Sequence, residues 1–241
     1  MRFMNYKKSI LAHIIQINDS IQNDLLIELR THGEQNRGGF LSLPRQVFCY
    51  FDYLGALASN GKNSTKNAVE FMEKYLTRTN SEYKDKCNLL YFMWRHGTVH
   101  EFDAKIITSS IDNFHIKWGS NNSPEERNRK WHLKLLCSEY QADNYYWFIN
   151  LFELVENLQD SLKYFIEDLE NDSQYLKRVR DNYKKISKEV NLITKDQLLL
   201  KEAKLLIDAT AGVIDKKLQV REEFKSKSDF DEFRKKWKSH S

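Results

Sequence analysis

Apolar residues recur at steps of three and four from near the start of the chain. Ile10, Ile14, Ile17, Ile21, Leu25 and Leu29 predict a first helix from about Asn5 to Arg30 with one buried face. Three glycines between Gly33 and Gly39 end it in a loop. Pro44 suits the opening of a second helix, whose apolar side is Val47, Phe48, Phe51, Leu54 and Leu57 and which Asn60-Gly61 stops. A short third helix follows from Lys66 to Leu76. A fourth starts near Ser81 and carries Leu89, Leu90, Phe92 and Met93.

After His100 the period changes from helical to alternating. Lys105 to Thr108 and Phe114 to Trp118 read as two short strands, with Asp112-Asn113 as the turn of a β-hairpin. Trp131 to Leu135 alternates in the same way, and Gly119-Ser120-Asn121-Asn122-Ser123-Pro124 reads as an exposed loop. The longest regular signal is Phe148, Leu151, Val155, Leu158, Leu162, Phe165 and Leu169, a helix with one buried seam that begins in the aromatic run Tyr145-Tyr146-Trp147-Phe148. That run reads as core rather than as a base-stacking platform. A further helix passes through Tyr183, Ile186 and Val190. Thr194-Lys195-Asp196-Gln197 then matches a capping box before Leu199, Leu206, Val213 and Ile214, and the charged end from Lys225 to Ser241 frays. The expected architecture is mainly α: a helical domain over 1–170 with a small β-hairpin around 105–118, and a C-terminal helical extension over 171–241.

Composition agrees with helix. The 241 residues contain only 8 Gly and 2 Pro, too few for the turns of a sandwich or barrel, and 13% aromatics supply a core. Cys49, Cys87 and Cys137 are odd in number, far apart and in apolar surroundings, which predicts small buried residues in a reducing compartment. Polar residues interrupt the N-terminal segment, so no apolar stretch offers itself to a translocon, and a cytoplasmic protein without a membrane partner is expected. The formal charge of +4 is small, but its distribution is uneven. Residues 171–241 carry 18 Lys+Arg against 12 Asp+Glu, whereas residues 139–170 hold eight acids and one base. Oppositely charged, solvated helices account for that pattern more simply than a basic arm for RNA.

Several chemistries have no sequence support. No cysteines are paired at zinc spacing, and His96 and His100, four apart, have only Glu101 or His115 nearby as a third ligand, so no metal or other cofactor is expected. A phosphate-binding glycine loop, a nucleophile elbow and a dinucleotide fingerprint are all missing. What remains is Arg95-His96-Gly97-Thr98-Val99-His100. On an α-helix, positions five apart point roughly 140° away from each other. Gly97 is expected to end the helix and turn Arg95 and His100 into one groove. An arginine that grips a phosphate through two parallel hydrogen bonds, beside an imidazole that titrates near neutrality, suits phosphodiester chemistry.

The segment Tyr91-Phe92-Met93-Trp94-Arg95-His96-Gly97-Thr98-Val99-His100-Glu101-Phe102 resembles the HEPN superfamily of helical domains, whose signature is Arg, a polar residue, three variable positions and His. The resemblance implies a HEPN-like helical bundle and a metal-independent endoribonuclease that uses the 2′-OH of its RNA substrate. It also implies a homodimer with two motifs facing each other, and a place in toxin–antitoxin or phage-defence systems with an antitoxin or defence-system protein as partner. Carried over, Arg95 binds and polarises the phosphate, His100 is the acid or base, and His96 orients the other two. Some members of that superfamily are non-catalytic binding or assembly modules. That is the alternative here: Arg95 would pair with an acid and His100 would be a satisfied interfacial histidine.

Overall fold

A computed structural model describes residues 2–27, 29–30, 41–101, 105–110, 114–121, 129–137, 144–190 and 204. Among these the chain is mainly helical, with one small four-stranded sheet. It divides into two compact units, Met1–Ile186 and Ser187–Ser241. Of the second, only the end of one helix and Lys204 are described. The expected capping box at 194–197, the last helix and the charged end lie outside the described residues.

Helix α1 (Arg2–Ser20) runs into a π-helical segment, Ile21–Leu26. The six predicted seam residues from Ile10 to Leu29 are all buried. Their spacing explains the change of winding. In an α-helix a step of four overshoots one turn by about 40°, so Ile17, Ile21, Leu25 and Leu29 would walk around the axis. The wider i→i+5 winding takes up that overshoot and keeps the stripe on the core.

Helix α2 (Ser42–Ala58) buries Val47, Phe48, Phe51, Leu54 and Leu57, as its pattern requires. It packs closely on α3 (Thr65–Thr79), which begins where the Ser64 side chain accepts from the Asn67 amide at 3.2 Å. The two backbones almost touch at Gly55, where a Cβ would stand 2.5 Å from the Asn67 carbonyl oxygen. A methyl group there meets backbone, not a side chain that can swing away. Gly55→Ala is therefore expected to destabilise the fold by about 2 kcal/mol in urea denaturation, by overpacking.

The helix expected from Ser81 is broken into a 3₁₀ turn (Ser81–Tyr83), a short α4 (Cys87–Leu90) and a second π-helical segment, Tyr91–Glu101. Asn80, whose side chain accepts from the Glu82 amide, and Asp85 at φ 61° account for the interruption. Gly97 does not end the helix as expected; the π winding carries the backbone past it to Glu101.

The two strands expected on either side of the hairpin turn pair as β1 (Ile107–Ser109) and β2 (Phe114–Asn121), antiparallel with Ile107 opposite Ile116, while the expected turn at 112–113 lies outside the described residues. Three differences from expectation follow in the sheet, whose order is β1-β2-β4-β3 with β4 spanning Asn144–Asn150 and β3 Leu135–Cys137. First, Gly119, Ser120 and Asn121 are strand and not loop, because β2 continues in parallel register with β4. Gly119 permits this: a Cβ would lie 2.8 Å from the Phe148 ring packed across it. Residues 122–124 of the expected loop lie outside the described residues. Second, Trp131–Leu133 form a turn and the strand starts at Leu135, since Leu133 takes a left-handed φ of 59° and its amide bonds to the Phe148 carbonyl at 2.7 Å. Third, Tyr145–Phe148 belongs to β4 and not to the following helix. Bulky aromatic and β-branched side chains favour the pleated strand. Asn150 then caps α5 (Leu151–Asn171) by accepting from the Glu153 amide at 3.0 Å. The reading of the run as core holds for Trp147, which is buried, while Tyr145, Tyr146 and Phe148 are half-buried.

From Leu151 onward the seam of α5 is buried, with Phe165 edge-on to Phe71 and Tyr75 of α3. Helix α6 spans Ser173–Val190. As far as Ile186 it is part of the first unit, where Tyr175 and Val179 are buried and the Asn182 side chain donates to the Leu57 carbonyl at 2.9 Å. The acids of α5 are used locally: Asp168 pairs with Lys74 at 2.7 Å and Arg78 at 2.9 Å, and Glu153 and Glu156 hold Arg129. No helix among the described residues is long and apolar enough to cross a membrane.

Candidate functional site

The π-helical segment Tyr91–Glu101 carries the whole Arg95–His100 motif. A π winding joins the carbonyl of residue i to the amide of residue i+5, so positions 95 and 100 stand one hydrogen-bonded turn apart. The break expected at Gly97 is replaced by this continuous winding. The side chain of His100 lies outside the described residues, as does that of Glu101.

Arg95 meets a carboxylate from the neighbouring helix. Its Nε donates to Oδ2 of Asp52 at 2.7 Å, and the Tyr91 hydroxyl donates to the other oxygen, Oδ1, at 2.5 Å. Tyr91 and Arg95 are four apart on one segment, so both reach the same residue of α2. The Arg95 side chain is 21% exposed and that of Asp52 13%, so the pair sits at a half-buried rim and not in the core. Burial pushes the Tyr91 phenol upward and the Asp52 bond adds to this, so the hydroxyl keeps its proton and remains a donor. Burial also disfavours the charged guanidinium, but the Asp52 hydrogen bond and charge outweigh it, and the Arg95 pKa is raised on balance.

His96 is half-buried, with its ring edge-on to Tyr91 at 5.6 Å and tilted against Phe92 at 5.6 Å. It touches the tyrosine that holds Asp52, and so adjoins Arg95 through two intermediaries. His115, considered above as a third metal ligand, sits on β2 with its Nδ1 3.1 Å from the Thr108 hydroxyl. Among the described residues no group of three or more His, Cys, Asp or Glu side chains is arranged to hold a metal ion.

Sequence reading overlooked the α2 wall of this site. Arg45, Cys49 and Asp52 follow one helix face at steps of four and three. Cys49 is exposed, as is Cys137, contrary to the buried cysteines expected; only Cys87 is buried. The signal was available: in Ser42–Ala58, Arg45 and Asp52 are the sole charged residues of an otherwise apolar and neutral helix. Burial and Asp52 raise the Cys49 pKa, while Arg95 and Arg45 pull against them without prevailing. Cys49 is thus a neutral thiol and no activated nucleophile.

The arrangement is a guanidinium clamped from behind through Nε, on a segment that also carries two histidines. Such a group can meet an anion with donors that Asp52 does not use. Compared with protein-family profiles, with curated protein sequences and with solved structures, the chain matches none.

Proposed function

We propose that the chain is a metal-independent endoribonuclease of the HEPN type, acting as a toxin or phage-defence effector. The observation that carries the reading is the Arg95 guanidinium, held at a half-buried rim within one π turn of position 100. In this scheme Arg95 grips the scissile phosphate and His100 moves the proton. The substrate's 2′-hydroxyl gives up its proton to the imidazole as its oxygen attacks phosphorus, the bond from phosphorus to the 5′-oxygen breaks, and the leaving oxygen takes a proton in return. His96 bears on the site through Tyr91. A homodimer would bring a second copy of the motif to a two-fold axis.

The products test this chemistry. An RNA oligonucleotide incubated with the protein in excess chelator is expected to be cut to fragments ending in a 2′,3′-cyclic phosphate, visible by mass spectrometry. DNA of the same sequence stays intact, because it lacks the internal nucleophile. Cleavage that disappears with chelator and returns with Mg²⁺ would overturn the mechanism.

One observation favours a second reading, a non-catalytic helical module that binds protein or RNA. Arg95 is already ion-paired with Asp52, as a structural arginine would be. Intact RNA after prolonged incubation would select that reading.

A further inference from the structure

We infer that Asp52 is a positioning residue, locked by Tyr91, which fixes the Arg95 guanidinium so that its outer edges present a fork for a phosphodiester. This rests on the reading of Arg95 as a phosphate clamp in an RNA-cleaving site. The carboxylate uses both oxygens: Oδ2 accepts from Arg95 Nε at 2.7 Å and Oδ1 accepts from the Tyr91 hydroxyl at 2.5 Å. A carboxylate bonded on one side only can rotate about its last torsion; bonded on both, it cannot without losing a charge-assisted bond. Its orientation then sets the guanidinium plane.

The choice of Nε matters. A guanidinium has five donors, and an arginine gripped by Asp52 through its two terminal nitrogens would have the fork occupied. Contact through Nε uses one donor on the inner edge. Four belong to the terminal nitrogens, one N–H of each forming a parallel pair that matches the two non-bridging oxygens of a phosphodiester.

A carboxylate beside a phosphate site repels the ligand, so if Asp52 acted by its charge alone, neutralising it would tighten nucleic-acid binding. If Asp52 acts by holding Arg95, neutralising it loosens the fork and weakens binding despite the relief of repulsion. The two effects have opposite signs.

The test uses a short, fluorescently labelled RNA strand with 2′-O-methyl groups throughout, which offers phosphates and no nucleophile. Its affinity is compared for the parent chain, Asp52→Asn, Asp52→Glu, Tyr91→Phe and Arg95→Ala, each at a temperature where circular dichroism shows it folded. Cleavage of the unmodified strand is measured alongside. Asp52→Asn is expected to weaken binding about ten-fold, the scale of one newly mobile long side chain, and to lower cleavage further than binding. Tyr91→Phe should lose part of that, and Asp52→Glu should recover part. Asp52→Asn that binds as tightly as the parent, or more tightly, overturns the assignment even if Arg95→Ala abolishes binding. A parent that binds the methylated strand but leaves unmodified RNA intact sinks the nuclease reading alone, and the loss in Asp52→Asn still supports positioning. A parent that binds neither strand overturns both.

Discussion

Alanine at Arg95 or at His100 is expected to lower RNA cleavage by about 10² or more, the scale of losing a charge-stabilising or proton-transfer group. The two variants should differ in their side effects. Removing Arg95 leaves Asp52, only 13% exposed, without its ion-pair partner, so some loss of stability accompanies the loss of rate. Arg95→Lys keeps the charge but not the planar fork, and should cleave nearer to Arg95→Ala than to the parent. Circular dichroism must show each variant helical before its rate is read. If folded Arg95→Ala and His100→Ala cleave like the parent, or remain as toxic to cells, the catalytic reading fails and the binding module takes its place.

Acid should loosen the fold in a window set by a second, unrelated histidine. His132, 5% exposed, lies between the Tyr83 hydroxyl, 2.7 Å from Nε2, and the Asn150 amide, which donates to Nδ1 at 3.1 Å. The bare Nδ1 accepts, so Nε2 carries the hydrogen and donates to Tyr83, whose oxygen also accepts from the Asn157 side chain at 3.1 Å. A second proton would have to displace the Asn150 amide. Burial lowers the His132 pKa from 6.5 to about 4. Between those values the unfolded chain binds a proton that the folded chain refuses, so stability is highest above pH 6.5 and declines down to about pH 4. The shift corresponds to a loss on the order of 3 kcal/mol. Urea unfolding of the parent and of His132→Gln from pH 7.5 to 4 isolates it: the parent should lose that much more than the variant. Asp168, whose pKa is lowered from 3.8 by Lys74 and Arg78 against an opposing burial cost, begins to lose its contribution only as pH falls to that ordinary carboxylate value, at the acid edge of this window, and does so equally in parent and variant. Parallel pH slopes for parent and variant would refute the assignment.

The helices were legible because each buried stripe uses one period and one kind of residue. The stripe of α1, the apolar side of α2 and the seam of α5 from Leu151 onward could all be named from spacing. Errors arose where two periods compete or where a partner decides. Phe148 fits the seam spacing of α5, yet it belongs to β4, since the Asn150 cap and the parallel pairing with β2 outweigh a shared phase. Gly119 looked like a loop residue because the ring that needs its missing side chain is 29 positions away. At the candidate site, Arg95, His96 and position 100 were singled out from a short motif. Asp52 was not, because its meaning depends on a contact across 43 residues. The π winding was equally hidden: no single residue type encodes it, and Gly97 reads in the sequence as a helix end.

The parallel pairing of β2 with β4 also bears on the order in which the molecule assembles. Contacts among α2, α3 and the π-helical segment are short-range along the chain, and most of them can form as soon as residues 41–101 are available. Trp94, fully buried in the finished structure, must wait for Trp118, and β2 must wait for Asn144–Asn150 to arrive alongside it. Non-local parallel strand pairing is slow relative to helix formation. A chain emerging from the ribosome therefore passes through a stage in which the helical hairpin is formed and the Trp94 surface is still uncovered. That interval is when aggregation and chaperone capture compete with folding.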